Sequence, residues 1–230
     1  MHRSIVAVVL VAGLGLAATA SAQQNNPISF ETISKAKSGQ WAEYTMSMKG
    51  QAQTIKMRYA IVERSDKQLG LEVDSNTPMG PVVMHMLYTS TGPEAWNLSK
   101  AVVKMGDQKK FMSPEEMKSG EIKKADTPGK LLGTESVTVP AGKFEAKHYQ
   151  RKAAMPGAPG ETQIDVWMSD KAGPTGLVKM TAANGVEAVL SSTGSDAKSQ
   201  LSFDAAPATD KADKTDKSDK PTAKPVKPQK

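Results

Sequence analysis

The sequence predicts a mainly β protein of the α+β kind: a curved antiparallel sheet or half-barrel with short covering helices. Three observations carry that expectation. Apolar residues recur at every second position through much of the chain, as in Ala42, Tyr44, Met46 and Met48 and again in Ile55, Met57, Tyr59 and Ile61. The junctions between such runs carry turn residues: Pro140-Ala141-Gly142 fits a type I turn closed by a residue at positive φ, and Asn184-Gly185 favours the type I′ hairpin turn. Helical spacing is confined to two short segments.

Residues 1–22 combine His2 and Arg3, an uncharged run from Ile5 to Ala18 and a closing Ala20-Ser21-Ala22, the pattern of a secretory signal peptide cleaved after Ala22. The run is shorter than the roughly 20 apolar residues of a spanning helix, so no transmembrane segment is expected in the mature chain. There is no cysteine, hence neither a disulfide nor a lipidated cysteine, and stability has to come from packing. Residues 23–203 suit one antiparallel-sheet domain, and residues 204–230, rich in Lys, Asp and Pro, are expected to be a disordered tail. The net charge of +6 divides as +1, +3 and +2 among these three parts. Acids are interleaved with the bases, which argues against nucleic acid and for a solvated surface.

Asn26-Pro27 starts a short helix in which Phe30, Ile33 and Ala36 share a face, and Gly39 ends it. A three-strand meander follows, its third run marked by Leu69, Leu71 and Val73. Val82 to Thr89 is apolar on both faces, so it calls for cover on both, with a helix as the expected cover. Trp96 to Met105 reads as strand. Ser113-Pro114-Glu115-Glu116 is a second helix start, with a capping box and a staple from Met112 to Met117. Two hairpins close the domain around a strand with Ile164, Val166 and Met168 on one face. With Asn184-Gly185 as a two-residue loop, Thr181 faces Ala188 and Met180 faces Val189, which places Val178, Met180 and Val189 together.

Little in the sequence supports catalysis. Residues 23–230 contain only His85 and His148, with no G-x-S-x-G, H-E-x-x-H or P-loop pattern. The G-x-G-x-x-A match at Gly13 to Ala18 lies inside the signal segment and has no strand before it. No enzyme and no cofactor are expected. The informative excess is methionine, 13 in all. Met46, Met48, Met57, Met84 and Met86 alternate within strands, and they admit three readings: ordinary core filling, an adaptable apolar cavity, or a soft-metal site. Against the metal, His85 in a strand points away from Met84 and Met86.

The run Gly39-Gln40-Trp41-Ala42-Glu43-Tyr44, then Val137-Thr138-Val139-Pro140-Ala141-Gly142-Lys143-Phe144, Val166-Trp167-Met168-Ser169 and Gly176-Leu177-Val178-Lys179-Met180 resembles uncharacterised exported bacterial proteins. These look related to the LolA and LolB lipoprotein carriers. The resemblance implies a half-barrel whose concave apolar face accepts acyl chains, and it brings no catalytic residues. The resulting expectation is a periplasmic or secreted, non-enzymatic protein holding a lipid or acyl chain in a cavity lined by those five methionines. The alternative is a structural or interaction module with a solid core, its tail meeting an anionic envelope surface; a copper-binding protein is the third reading.

Overall fold

Where polar and apolar residues alternate, the chain forms strand, and each change of period or turn residue ends one. The structure, a computed structural model, describes residues 30–78, 80–92, 95–113, 116, 121–123, 129–154 and 160–203. The signal segment, Asn26-Pro27 and the tail lie outside the described residues. The elements are α1 (Phe30–Lys35), β1 (Trp41–Met48), β2 (Ile55–Arg64), β3 (Gln68–Thr77), β4 (Gly80–Gly92), β5 (Ala95–Met105), β6 (Gln108–Met112), β7 (Glu121–Lys123), β8 (Lys130–Val139), β9 (Gly142–Ala154), β10 (Glu161–Met168), β11 (Leu177–Ala182) and β12 (Val186–Gly194). All pairings are antiparallel, and the sheet runs β6-β5-β4-β3-β2-β1-β12-β11-β10-β9-β8, with β7 on the same edge of β5 as β6. It does not close. The first and last strands meet in the middle, Tyr44 opposite Leu190 and Met46 opposite Ala188.

One face, here the inner face, carries the main core. Ala42, Tyr44 and Met46 of β1 continue into Met57, Tyr59 and Ile61 of β2, Leu69 and Leu71 of β3, Met86 and Tyr88 of β4, and on the other side into Ala188, Leu190, Met180, Ile164 and Val166, all buried. The described residues do not show the expected set of covering helices: they include one six-residue helix, α1, which buries Ile33, with Ala36 buried just after it. Thr32 Oγ1 donates to Thr175 O (2.9 Å), which ties α1 to the β10–β11 loop, and that loop reaches Tyr44, whose hydroxyl bonds Thr175 Oγ1 and donates to Leu177 O at 2.9 Å. So small a cap covers only part of a face this wide, and a twisted open sheet of this many strands tends to curl toward itself. Of the second expected helix, Ser113 and Glu116 are described, and they exchange both bonds of a capping box, Ser113 N–H to Glu116 Oε2 at 2.9 Å and Glu116 N–H to Ser113 Oγ at 3.3 Å.

The β11–β12 hairpin departs from the expected register by one residue. Thr181 faces Glu187 and Met180 faces Ala188, so the loop takes three residues, Ala183 to Gly185, with Gly185 at φ +88° and its N–H donating to Ala182 O at 2.8 Å. The reason is burial. A two-residue loop would have set Glu187 and Ser191 beside Met180 on the inner face, whereas the three-residue loop sends Glu187 and Val189 outward and brings in Val186, Ala188 and Leu190. The Pro140-Ala141 turn is as expected, with Val139 opposite Gly142 at φ +134°.

The opposite, outer face is finished in two ways. Along β2 to β6, register sets Ala60, Glu72, His85, Val102 and Phe111 in one cross-strand row. From Glu72 to Phe111 this row lies under the strap, residues 195–203, an extended segment that follows β12, so the cover of β4 is the strap and not a helix. Along β8 to β11 the outward positions include His148, Trp167 and Lys179 in one cross-strand row, with Glu135 opposite Ala146 beside it. The tip of the β8–β9 hairpin, carrying Val137 and Phe144 on that same side, reaches back to β12, where Ala141 N–H donates to Leu190 O at 3.2 Å.

Candidate functional site

The sequence nominated the methionines, and the structure separates them. Met46, Met57 and Met86 are buried, while Met48 and Met84 are half-buried at the margin of the same inner face. Met46 and Met57 come together around open space, with Tyr44, Tyr59, Leu177, Met180 and Ala188, and that space is about 20 Å³. It is room for about one water molecule. Nothing in the choice of methionine was expected to be polar, yet the thioethers act as acceptors: Tyr59 Oη donates to Met57 Sδ at 2.9 Å and Tyr88 Oη to Met86 Sδ at 3.4 Å. Burial holds the phenols of Tyr44, Tyr59 and Tyr88 well above their ordinary range, so each remains a neutral donor that needs a partner. The signal is present in the sequence as Met57-x-Tyr59 and Met86-x-Tyr88, two residues apart on one face of a strand.

His85 and the two flanking methionines do not form one site, because His85 lies on the outer face beneath the strap. There Glu72 and His85, 3% and 4% exposed, sit opposite each other on β3 and β4. Ser199 Oγ donates to Glu72 Oε2 (3.0 Å) and lies 3.2 Å from His85 Nδ1. The carbonyl of Leu201 is 2.8 Å from the same nitrogen and accepts its proton. A serine, a histidine and a glutamate therefore meet, but not as a relay: both bonds fall on Nδ1, Glu72 bonds the strap instead of the imidazole, and His85 Nε2 is buried without a partner. Gly70 makes the room, since a Cβ there would stand 3.0 Å from Nε2. Sequence reasoning missed this cluster because Ser199 is far from both partners in the chain.

The second cluster is the outer ladder. His148 stacks on Trp167, ring centroids 4.3 Å apart, with Nδ1 at 3.1 Å from Glu135 Oε1 and Nε2 at 2.9 Å from Asp165 Oδ1. Trp167 Nε1 donates to the same Glu135 oxygen, and Lys179 lies over the Trp167 ring and pairs with Glu187 at 2.9 Å. Burial acts to raise the Asp165 carboxyl, but hydrogen bonds from Gln150, His148 and Gln163 and the charge of His148 together hold it below its ordinary value. Among the described residues no group of three or more His, Cys, Asp or Glu side chains is arranged to hold a metal ion. An open, polar cleft of about 510 Å³ lies between α1, the β10–β11 loop and the ends of β1 and β12, lined in part by Lys35, Gln40, Asp170 and Lys171.

These features define a protein dominated by one open antiparallel sheet. No protein-family model and no curated protein matches the chain. Among solved structures, it is similar to a hypothetical protein of Chlamydia trachomatis at 14% identity, covering 77% of this chain and 96% of that one, with a TM-score of 0.46. It is also similar to a Bacteroides fragilis protein assigned as exported, with a YmcC-like fold (12% identity, 69% and 97% covered, TM-score 0.37). A third is a Parabacteroides distasonis protein assigned as a lipoprotein (14% identity, 69% and 96% covered, TM-score 0.37). None of these likenesses brings a function to this chain.

Proposed function

We propose that this is a non-enzymatic, exported interaction module of the cell envelope whose inner face is a core and not a ligand chamber. One observation carries the reading: the space among the inner-face methionines and tyrosines is about 20 Å³, against roughly 300–1,000 Å³ for pockets that enclose ligands of drug size. Export rests on the signal-like residues 1–22; no helix among the described residues is long and apolar enough to cross a membrane. The Lys-rich residues 204–230 are proposed to meet an anionic surface, a contact that weakens with salt.

The acyl-ligand reading, which the LolA-like resemblance suggested, is the second. What favours it is that Met48 and Met84 stay half-buried at the margin of the inner face and that, among the described residues, a short helix and a loop cap that face. It requires the cap to lift. Protein purified from the envelope without detergent and examined by native mass spectrometry, then titrated with a fluorescent fatty acid, decides between them. The module reading expects no copurified lipid and no saturable probe uptake. One equivalent of either reverses the order.

A further inference from the structure

The strap contributes no strand to the sheet, and it is held by backbone and side-chain groups alike. Ala197 N–H donates to Gly39 O at 2.9 Å, Gln200 N–H to Glu72 Oε2 at 2.9 Å, and Ser202 O accepts from Lys109 Nζ at 2.6 Å. His85 Nδ1 donates to Leu201 O at 2.8 Å. Two apolar side chains anchor it, Leu201, buried with Val83 and Val102, and Phe203, whose ring centroid is 4.6 Å from that of His85; three polar ones add to them, Ser199 Oγ donating to Glu72, Gln200 Nε2 donating to Asp74 and Asp196 accepting from Trp41 Nε1. A groove that reads backbone groups plus two side chains two positions apart recognises an extended polypeptide rather than one particular sequence. It also needs an occupant, because Glu72 and His85 are buried and take their partners from the segment lying on them.

We propose that this groove is the docking site for an extended segment of a partner polypeptide, with an aliphatic residue followed two positions later by an aromatic one, and that residues 199–203 occupy it in the free protein as an internal competitor. The proposal rests on the interaction reading above and names its surface. A tethered segment competes at an effective concentration of about millimolar, so an identical strap from a second copy has no advantage over the resident one. A partner displaces it by adding contacts beyond these five residues. Asp74, 3.2 Å from Gln200 Nε2, and Lys109, bonded to Ser202 O, pair with the strap itself and mark the groove's margins, so the added contacts lie outside them.

The test uses the full chain and a fluorescein-labelled peptide with the sequence of residues 195–203, read by anisotropy. Wild-type protein is expected to bind it only near millimolar concentration, and the Leu201→Ser/Phe203→Ser variant at least tenfold more tightly. A peptide with serine at both anchor positions should bind neither. A variant that keeps its sheet circular dichroism but binds no better than wild type overturns the proposal. Should that variant not fold, hydrogen exchange on wild type serves instead. Strap amides at Ala197 and Gln200 should exchange at least tenfold faster than those of β3 and β4, and exchange at the global unfolding rate alone overturns the proposal. Dimerisation at micromolar concentration would give the groove to a second copy and overturn it as well. The interaction reading fails separately, by uptake of the fatty-acid probe whatever the peptide does.

Discussion

The two halves of the sheet share an inner core but finish their outer faces by opposite means, and each places one histidine there. Over β3 to β5 the outward positions include Val83, His85, Leu87 and Val102, all buried, so this half needs a lid of protein and gets it from the strap. Over β8 to β11 they are Glu135, His148, Trp167 and Lys179, which partner one another across strands and stay in contact with water. The same imidazole is therefore a buried donor to a carbonyl in one half and a bridge between two carboxylates in the other. An outward apolar residue commits the chain to cover; an outward charged one only needs a neighbour of opposite sign.

That contrast ranks the expected effects of substitution. Leu201→Ala removes the strap's aliphatic anchor from a site 5% exposed and should cost about 2–4 kcal/mol in urea unfolding; a loss below about 0.5 kcal/mol would mean the strap is not needed as cover. At the seam between the halves, a Cβ on Gly194 would fall 2.5 Å from ring atoms of Trp41, which is stacked under Arg58 and bonded to Asp196. Gly194→Ala should cost about 1–3 kcal/mol, and most of that cost should vanish in a Trp41→Ala background. On the inner face that both halves share, Met57→Leu leaves the Tyr59 hydroxyl without its acceptor. The expected loss is about 1 kcal/mol, with Tyr59→Phe recovering much of it in a double-mutant cycle.

The smallest effect belongs to the ladder. Asp165→Asn should lower stability by less than about 1 kcal/mol at pH 7. Because the folded carboxyl titrates below its unfolded value, its stabilisation is present above about pH 4 and is lost as pH falls through the folded value. The gap between wild type and variant should thus narrow as urea titrations are carried below about pH 4. A difference that persists there would show that the carboxylate's charge is not what the ladder uses.

Much of the strand content was legible because inner-face residues alternate with more solvated ones, as from Ala42 to Met48 and Ile55 to Tyr59. The hairpin at Asn184-Gly185 was misread by one residue because the dipeptide was weighed alone, when the cost of turning Glu187 inward decides the register. Val82 to Thr89 announced that it needed two covers but not which segment supplies the second, since Ser199 to Phe203 looks polar until Leu201 and Phe203 are seen to be two apart. The methionines were read as apolar filler, ligand wall or metal donors. Their bonds from Tyr59 and Tyr88 follow from burial of the hydroxyls, which alternation alone does not reveal. The His148 ladder depends on four strands, β8 to β11, being neighbours and could not be seen from spacing.

The pairing of β1 with β12 sets an order of events on the chain. Strands β1 to β5 are joined by short connections and can zip locally, and so can β8 to β12. The seam, by contrast, needs Trp41 to find Gly194, a loop of roughly 150 residues whose closure costs on the order of 4 kcal/mol of chain entropy. Folding of this topology should be slow for the protein's size, with the joining of two preformed half-sheets as its barrier. The strap leaves β12 directly, so it can settle over β3 and β4 only once that joint is made. The outer apolar row of the first half then stands bare during the slowest step, and a chain stalled there is most exposed to self-association.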